Sequence, residues 1–527
     1  QLREHHLMDY DDQMVYAYTM LRKFPQLLEH FQNLYPYICV DEAQDTSKIQ
    51  HAIITLLASK TENLFMVGDE DQSIYGFRAA YPEALLSFEK NHANAMVLLM
   101  EDNFRSNASI VEAADQFIQK NTLRHEKHMR ATKERMEEIK EISLKSRKAQ
   151  YSYLMKVADG CTTQTAVLYR DNECILPLVD LLERNNIPYQ MRNAELTFFS
   201  HRTVLDVVNI IKLALNPKDT EAFLQVYYKI GTYLRKQEAM RIVEISEEKD
   251  LPVLDVASDY QGLSGHVIGC VKSVRTHLQN MLQESGDKVV NRISQYMGYR
   301  EYLNRIGVSD SKLEILRMLG AGEESPERLV KRLEELKSII LEKQSDAQCP
   351  FILSTIHASK GLEYEHVYLI DVVDGILPEQ ALQNPKRASK EELQTYEEER
   401  RLFYVGVTRA KQQLTLFTTN RESSFCREIL GKTFIQKNST KVVSANKIFS
   451  QANPYAQNTK LRMKPTTAEE YKKFKEQLGA GVLVKHKKFG DGVVVSMDEE
   501  RVQILFGEKL RNLDMRMLIQ GGFLEVH

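Results

Sequence analysis

Two short apolar runs end in acids, and a helix-like stretch joins them. In "YPYICVDEAQDTS", Tyr35 to Ser47, the run Tyr37-Ile38-Cys39-Val40 stops at Asp41-Glu42, with Gln44 and Asp45 close behind. In "NLFMVGDEDQSIYGFRAA" the apolar run gives way to Asp69-Glu70. The stretch between them, "TSKIQHAIITLLAS", has amphipathic helical spacing. Apolar runs of this length bounded by polar residues read as buried strands, and strand–helix–strand at this spacing predicts a parallel α/β sheet. Ligands of such sheets bind beyond the carboxyl ends of the strands, where Asp41, Glu42, Asp69 and Glu70 fall. Carboxylates there are costly to desolvate unless they hold something positive, and magnesium carrying a nucleotide phosphate fits.

The pattern recurs in "AMVLLMEDNFRS", "TQTAVLYRDN" and "FILSTIHASKGLEYEHVYLIDVVDG", which predicts a second α/β sheet. From about 197 to 348 the spacing is almost wholly helical, as in an inserted helical domain. After about Arg421 the chain turns rich in Asn, Gln, Ser, Thr and Lys, which predicts a flexible linker. From Gly479 onward, alternating short runs with Gly-Asp-Gly and Phe-Gly turns predict a small β-barrel. The mixed-charge stretch "LRHEKHMRATKERMEEIKE" is expected to be a solvated helix.

At 527 residues the chain exceeds what one hydrophobic core serves. No run of about 18 apolar residues is present, so no transmembrane helix is expected. Six cysteines without a CxxC pair argue against a disulfide frame or a zinc site. A net charge of −3 means that any nucleic-acid partner must be met by local basic surface.

Five segments carry candidate chemistry. Asp41 and Glu42 can divide two tasks, one holding a magnesium shell and the other polarising a water; the plainer alternative is an acidic pair capping the next helix. Gln72 can read a phosphate oxygen or a water. Tyr75, Phe77 and Arg78 combine aromatic faces with a cation, as in sites that stack single-stranded bases; alternatively the two rings are core. Arg105 lies between a strand and a helix beginning at Ser106 or Asn107, placed to grip a phosphate or merely a nearby acid. Thr355, His357, Lys360 and Gly361 lie between two strand-like runs, where a glycine permits close backbone approach to phosphate. Tyr404 and Arg409 lie on or beside a helix entering a strand, and Arg409 suits an arginine-finger role.

The five segments in this order resemble the superfamily 1 DNA helicases of the UvrD/PcrA/Rep type. DEAQD matches motif II, GDEDQSIYGFR motif III, NFRS motif IV, STIHASKGLEYEHVYLIDVVDGILP motif V and EEERRLFYVGVTRAK motif VI. The likeness runs from about Met8 to Arg427 and resumes at "VKHKKFGDGVVVS", which is similar to the Tudor-like C-terminal module of such helicases. It implies ATP and Mg²⁺ as cofactors, with Asp41 and Glu42 at the metal and Glu42 activating water. It places Gln72 between the γ-phosphate and DNA, Arg105 and Arg409 beside the γ-phosphate, and Gly361 and Glu363 at the nucleotide. Tyr75, Phe77, Arg78, Thr355 and His357 match positions lining the single-strand track. Phe77 stands where Trp is common, and Phe104 where a Tyr packs on adenine.

The resemblance implies two RecA-like parallel-sheet motor domains, the first incomplete. Residues 1–90 would form the partial first motor domain, and 91–196 with 350–427 the second. Residues 197–349 would be the helical accessory insertion, 428–478 a linker and 479–527 the Tudor-like barrel. The implied activity is ATP-dependent 3′→5′ translocation on single-stranded DNA and at duplex junctions, in repair, recombination or replication in the cytoplasm. RNA polymerase is the implied partner of the barrel, and no membrane is involved. The rival is a non-catalytic DNA- or polymerase-binding protein that keeps the motor shape. Intact Glu42, Arg105 and Arg409 argue against that rival, and a helicase-nuclease would need a nuclease domain after motif VI.

One expected element has no match. A phosphate loop reads GxxxxGK[ST], and the sole candidate, Gly431-Lys432-Thr433, follows a helix-like "CREIL" after motif VI. Forty residues precede Asp41, among them the helical-looking "DYDDQMVYAYTMLRK". The chain opens on Gln1 rather than Met, and the expectation is that it belongs to a longer protein.

Overall fold

In the computed structural model both apolar runs become strands, β1 (Ile38–Val40) and β2 (Leu64–Met66), paired in parallel with Cys39 opposite Phe65. The structure describes residues 5, 7–92, 94–192, 195–342, 349–382, 388–419, 423–432, 482–486, 490–497, 501–506, 509–514 and 524–526. The chain divides into two compact units, residues 1–434 and 435–527.

The helix joining β1 to β2, Lys48–Ala58, starts on a capping box between Ser47 and Gln50. Ile38, Val40, Leu64 and Met66 are half-buried, while Cys39 is exposed and Phe65 is 62% exposed. This small sheet is covered on one face only.

The third expected strand does not form. Met96, Leu98 and Met100 are exposed, and the chain is extended only at Asp102–Asn103 (β3), which pairs with Arg130–Ala131 (β4). Strand backbone needs a ladder partner, and among the described residues none lies beside Met96–Met100. The mixed-charge stretch is also not a solvated helix. It is irregular through Met129, leads into β4, and carries Arg124 and Lys127 largely buried against acids. Charge composition gave no sign of those partners, which lie about fifty residues earlier in the chain.

The second sheet has six parallel strands: β5 (Lys140–Leu144), β6 (Thr165–Tyr169), β7 (Gln190–Met191), β8 (Phe351–Thr355), β9 (Tyr364–Leu369) and β10 (Ala410–Thr419). Their order is β5-β10-β9-β6-β8-β7. Side chains alternate between two cores. Val167, Tyr169, Phe351 and Leu353 join a cluster continuous with Phe198, Ile211 and Leu336 of the helical region. Ala166, Leu168 and Ile352 face Ile110, Phe117 and Phe403. With both faces covered, strands read as near-continuous apolar runs, as β6 and β8 do.

Between β7 and β8, the described residues from Thr197 to Glu342 form helices and no strand. This insertion is tied to the sheet domain by Arg332–Asp180 at 2.7 Å, Lys312–Glu173 at 2.9 Å and an Arg184–Glu323 pair. After β10, the helix Ser424–Ile429 buries Phe425, Cys426 and Ile429, so packed chain continues to Lys432, past the expected start of the linker. "CREIL" is thus mostly helix, and Lys432 pairs with Glu141 rather than heading a phosphate loop. The remainder of the expected linker, 433–478, lies outside the described residues.

The second unit is a five-stranded antiparallel sheet: β11 (Leu483–His486), β12 (Gly490–Met497), β13 (Arg501–Phe506), β14 (Lys509–Asp514) and β15 (Leu524–Val526), in the order β14-β13-β12-β11-β15. Val484, Val494, Val502 and Ile504 are buried. Gly492 is required by packing, because a Cβ there would sit 2.6 Å from the Phe506 ring.

Candidate functional site

The acids after β1 stand apart from those after β2. Asp41 and Glu42 are exposed, with the Asp41 carboxylate accepting the Glu42 amide at 2.8 Å. Glu42 holds a left-handed backbone, φ 49°, an uncommon conformation for a side-chain-bearing residue. Gln44, fully buried, donates to Glu42 Oε2 at 2.5 Å and accepts the Asp69 amide at 3.0 Å, linking the two strand ends.

After β2, only Asp69 of the three acids stays partly exposed. Glu70 and Asp71 are buried and paired. Arg124 holds the Asp71 carboxylate at 2.9 Å, and Lys127 reaches Asp69 at 2.7 Å and Glu70 at 3.0 Å. Glu70 is therefore a structural acid, contrary to its expected place at a ligand. Although burial alone would lower it, the three surrounding acids hold the Lys127 ammonium well above its ordinary range.

Gln72 sits between the two sheet domains. Its amide nitrogen donates to Asp69 Oδ2 at 2.7 Å, and its oxygen accepts Arg409 Nη2 at 3.2 Å. Arg409 follows the helix Lys390–Val407 and is 1% exposed. It also donates to the carbonyls of Val405 at 2.9 Å and Leu362 at 3.2 Å. Burial and then the charge of Arg105 bring it down to about 10, so it remains a cation at neutral pH. Arg105 donates to Glu363 at 2.9 Å, and Lys411 reaches the same carboxylate at 2.9 Å. These two hydrogen bonds hold Glu363 below the usual carboxylate range. The helix after Arg105 starts at Ala108, with Asn107 as its cap. Phe104 is 73% exposed, its ring open to a flat partner. Gly361 has φ 78° with open space on its Cβ side, so conformation rather than crowding requires glycine there.

A cluster of rings lies beside this cleft. Tyr75, Phe77 and His357 have centroids 5.6–6.0 Å apart, and Arg78 lies 5.2 Å and 5.4 Å over Tyr75 and Phe77. Phe77 is 69% exposed, which removes it from the core; Tyr75 is half-buried, its hydroxyl donating to the His357 carbonyl at 3.3 Å. Burial, then the charge of Arg170, with smaller contributions from Arg78 and Lys360, holds the His357 imidazole at about 4, neutral at pH 7. Thr355 is buried, and its hydroxyl accepts the Ala358 amide at 3.1 Å, which fixes the turn carrying His357. Tyr404 is a core residue.

Comparison with known proteins follows the same division of the chain. The family model described as the UvrD/REP helicase N-terminal domain matches residues 1–93, and that of the UvrD-like helicase C-terminal domain matches residues 98–421. The chain belongs to the UvrD-like helicase family. Similar curated proteins of this family include the "ATP-dependent DNA helicase PcrA" of Staphylococcus epidermidis, 27% identical over 540 residues that cover 95% of this chain and 71% of that protein. The protein of the same name from Staphylococcus aureus is 27% identical over 537 residues, covering 96% of this chain and 72% of its own length.

In this UvrD-like helicase the expected site residues gather into two groups. Gln72 with Arg409, and Arg105 with Glu363, line the cleft; Tyr75, Phe77, Arg78 and His357 form the ring cluster. Asp41 and Phe104 make no side-chain contact with either group among the described hydrogen bonds and ring pairs. Gln44, Asp69 and Lys127 carry links that motif matching had not assigned. Asp69 and Gln44 lie inside the matched motifs, but Lys127 has no signal beyond its charge. Among the described residues no helix is long and apolar enough to cross a membrane, and no cluster of three or more His, Cys, Asp or Glu side chains could hold a metal alone.

Proposed function

We propose that this chain is part of the motor of an ATP-dependent DNA helicase that moves 3′→5′ along single-stranded DNA and works at duplex junctions in repair, recombination or replication in the cytoplasm. The observation that supports it most is the Arg409–Gln72 hydrogen bond. It sets a buried cation from the second sheet domain against the strand-end acids of the first, with an exposed ring cluster alongside.

Residues 1–90 would serve as part of the first motor domain, 91–196 with 350–432 as the second, and 197–349 as the accessory domain. Asp41 and Glu42 fit one edge of a magnesium ion, since two exposed carboxylates without a third ligand suit a metal otherwise held by substrate phosphates and water. Bound there, Mg²⁺–ATP would supply the transferable phosphoryl group. Glu42 would orient the attacking water, Arg105 and Arg409 would balance developing negative charge, and Phe104 would stack on adenine. Glu363 and Gly361 would border the ribose and phosphates. Tyr75, Phe77 and His357 would hold bases by stacking, with Arg78 and Thr355 beside the backbone.

Residues 1–527 contain no GxxxxGK[ST] sequence, so this polypeptide by itself should turn over ATP negligibly. Robust DNA-stimulated turnover abolished by Glu42→Gln would overturn that. The C-terminal sheet would bind a protein, with RNA polymerase the partner the likeness suggests. Deleting 479–527 should leave single-strand affinity nearly unchanged, and a large loss with a shallower salt dependence would make it a DNA contact instead.

The direct test is binding of an oligo-dT by fluorescence anisotropy. Tyr75→Ala should weaken it by about 1–3 kcal/mol per lost stacked base, with little sequence preference. Unchanged affinity in a folded Tyr75→Ala variant would remove the ring cluster from the track.

A further inference from the structure

Lys360 joins the ring cluster to Glu42. It follows the single 3-10 turn His357–Ser359, and its backbone amide donates to the His357 carbonyl at 3.2 Å. Its side chain is 7% exposed and points into the first sheet domain. There the ammonium lies 2.5 Å from Asp45 Oδ2, 2.7 Å from the Gln72 carbonyl and 3.7 Å from Glu42 Oε2. It also sits 5.4 Å from the Tyr75 ring centre. One buried ammonium thus touches motif II, the backbone of Gln72 and a ring of the cluster, while its own turn carries another ring, His357.

Asp45 makes this arrangement responsive. It ends the 3-10 turn Ala43–Asp45 that begins directly after Glu42, and its amide donates to the Glu42 carbonyl at 2.9 Å. Its second oxygen, Oδ1, is buried without a hydrogen-bond partner. Lys360 is thus the one cation hydrogen-bonded to Asp45 among the described residues. An ammonium is a compact charge with three rotatable donors, so a small movement of the His357 turn re-divides it between Asp45, Glu42 and the Gln72 carbonyl.

We propose that Lys360 is a positioning residue that reports occupancy of the Tyr75–His357 rings to Glu42 by holding the Glu42–Asp45 turn. The inference rests on the nucleic-acid function proposed above. A base stacked on Tyr75 and His357 fixes the His357–Ser359 turn, the Lys360 ammonium settles, and the motif II turn is held with it. Lys360 itself is too buried to meet a phosphate, so its removal should leave the salt dependence of DNA binding unchanged.

The test is amide hydrogen exchange on residues 1–527 with and without an oligo-dT of about 16 nucleotides. In the parent, dT should slow exchange both in the ring segments, 73–80 and 355–361, and in the motif II turn, 41–46. Lys360→Met should keep the first response and lose the second, and Lys360→Arg should retain part of it. Asp45→Asn, which removes the charge from the other side, should match Lys360→Met, with the double variant adding nothing. A motif II response of parental size in both Lys360→Met and Asp45→Asn would overturn the proposal, as would a parent that protects only the ring segments. A parent with no protection at the rings would overturn the nucleic-acid function itself, and this inference with it.

Discussion

Two parallel sheets of the first unit, β1–β2 and the six-stranded one, are built from the same kind of sequence and end in different states. β1, β2, β6 and β8 are all short apolar runs that stop at polar residues. β6 and β8 are buried along their whole length, sandwiched between two cores. β1 and β2 leave Cys39 and Phe65 in the open. An apolar run specifies that a face can be buried, but the neighbours decide whether it is. The same difference carries over to the acids. After β1, Asp41 and Glu42 stay exposed; after β2, Glu70 and Asp71 are drawn under Arg124 and Lys127 of the second domain.

This contrast can be broken most directly in the cores. Phe403, fully buried against Phe117 and Phe425, should cost about 3–5 kcal/mol when changed to Ala, whereas Phe65→Ala should stay within about 0.5 kcal/mol. Urea midpoints of the two variants measure this, and equal shifts would mean that β2 is as sealed as the second sheet.

The acids offer the next test. Arg124→Met leaves the nearly inaccessible Asp71 to Lys127, 3.4 Å away, and should cost about 3 kcal/mol, with most of it recovered by adding Asp71→Leu. Glu42→Gln, on the exposed side of the contrast, should leave the midpoint almost unmoved.

A smaller effect follows from His357. Its folded value near 4 lies below the ordinary 6.5. As pH falls below 6.5 the unfolded chain takes up the proton first, so stability is lost between pH 6.5 and 4 and is fully present above that window. The loss should be on the order of 2 kcal/mol, and His357→Gln should flatten it in thermal unfolding across that range. The smallest change should come from the solvated face of the inserted helices. Arg241 and Glu244 are both more than half exposed, and Glu244→Gln should leave the urea midpoint unchanged within error.

Much of this organisation was legible in the sequence because local signals and burial agreed. The Ser47–Gln50 capping box, the apolar strands β6 and β8 and the helical spacing after residue 197 all specify elements that the surroundings then accept. The site residues were legible as types at motif spacings, and Gln72, Arg105, Glu363 and Arg409 do meet. Three features were not legible. Met96–Met100 has strand composition, yet a strand also needs a partner backbone. Arg124 and Lys127 read as solvated charge because their acids come from a distant segment. The helical character of "CREIL" was legible, but the burial of Phe425, Cys426 and Ile429 was not, because the polar stretch beside them masks it.

The helical insertion leaves the second sheet at β7 and returns at β8, its immediate neighbour, and the two roots are pinned where the Arg192 amide donates to the Leu353 carbonyl at 2.9 Å. Its covalent attachment therefore runs through two adjacent strands at one edge of the sheet. In mechanical terms the insertion is a lever rooted at that edge and braced by its ion pairs to the sheet domain. A load borne by its helices reaches the sheet domain through the Arg332–Asp180, Lys312–Glu173 and Arg184–Glu323 pairs and through β8, and the chain that emerges from β8 is Ile356 to Lys360. The part of that load carried by β8 runs on along the chain to the turn that holds His357.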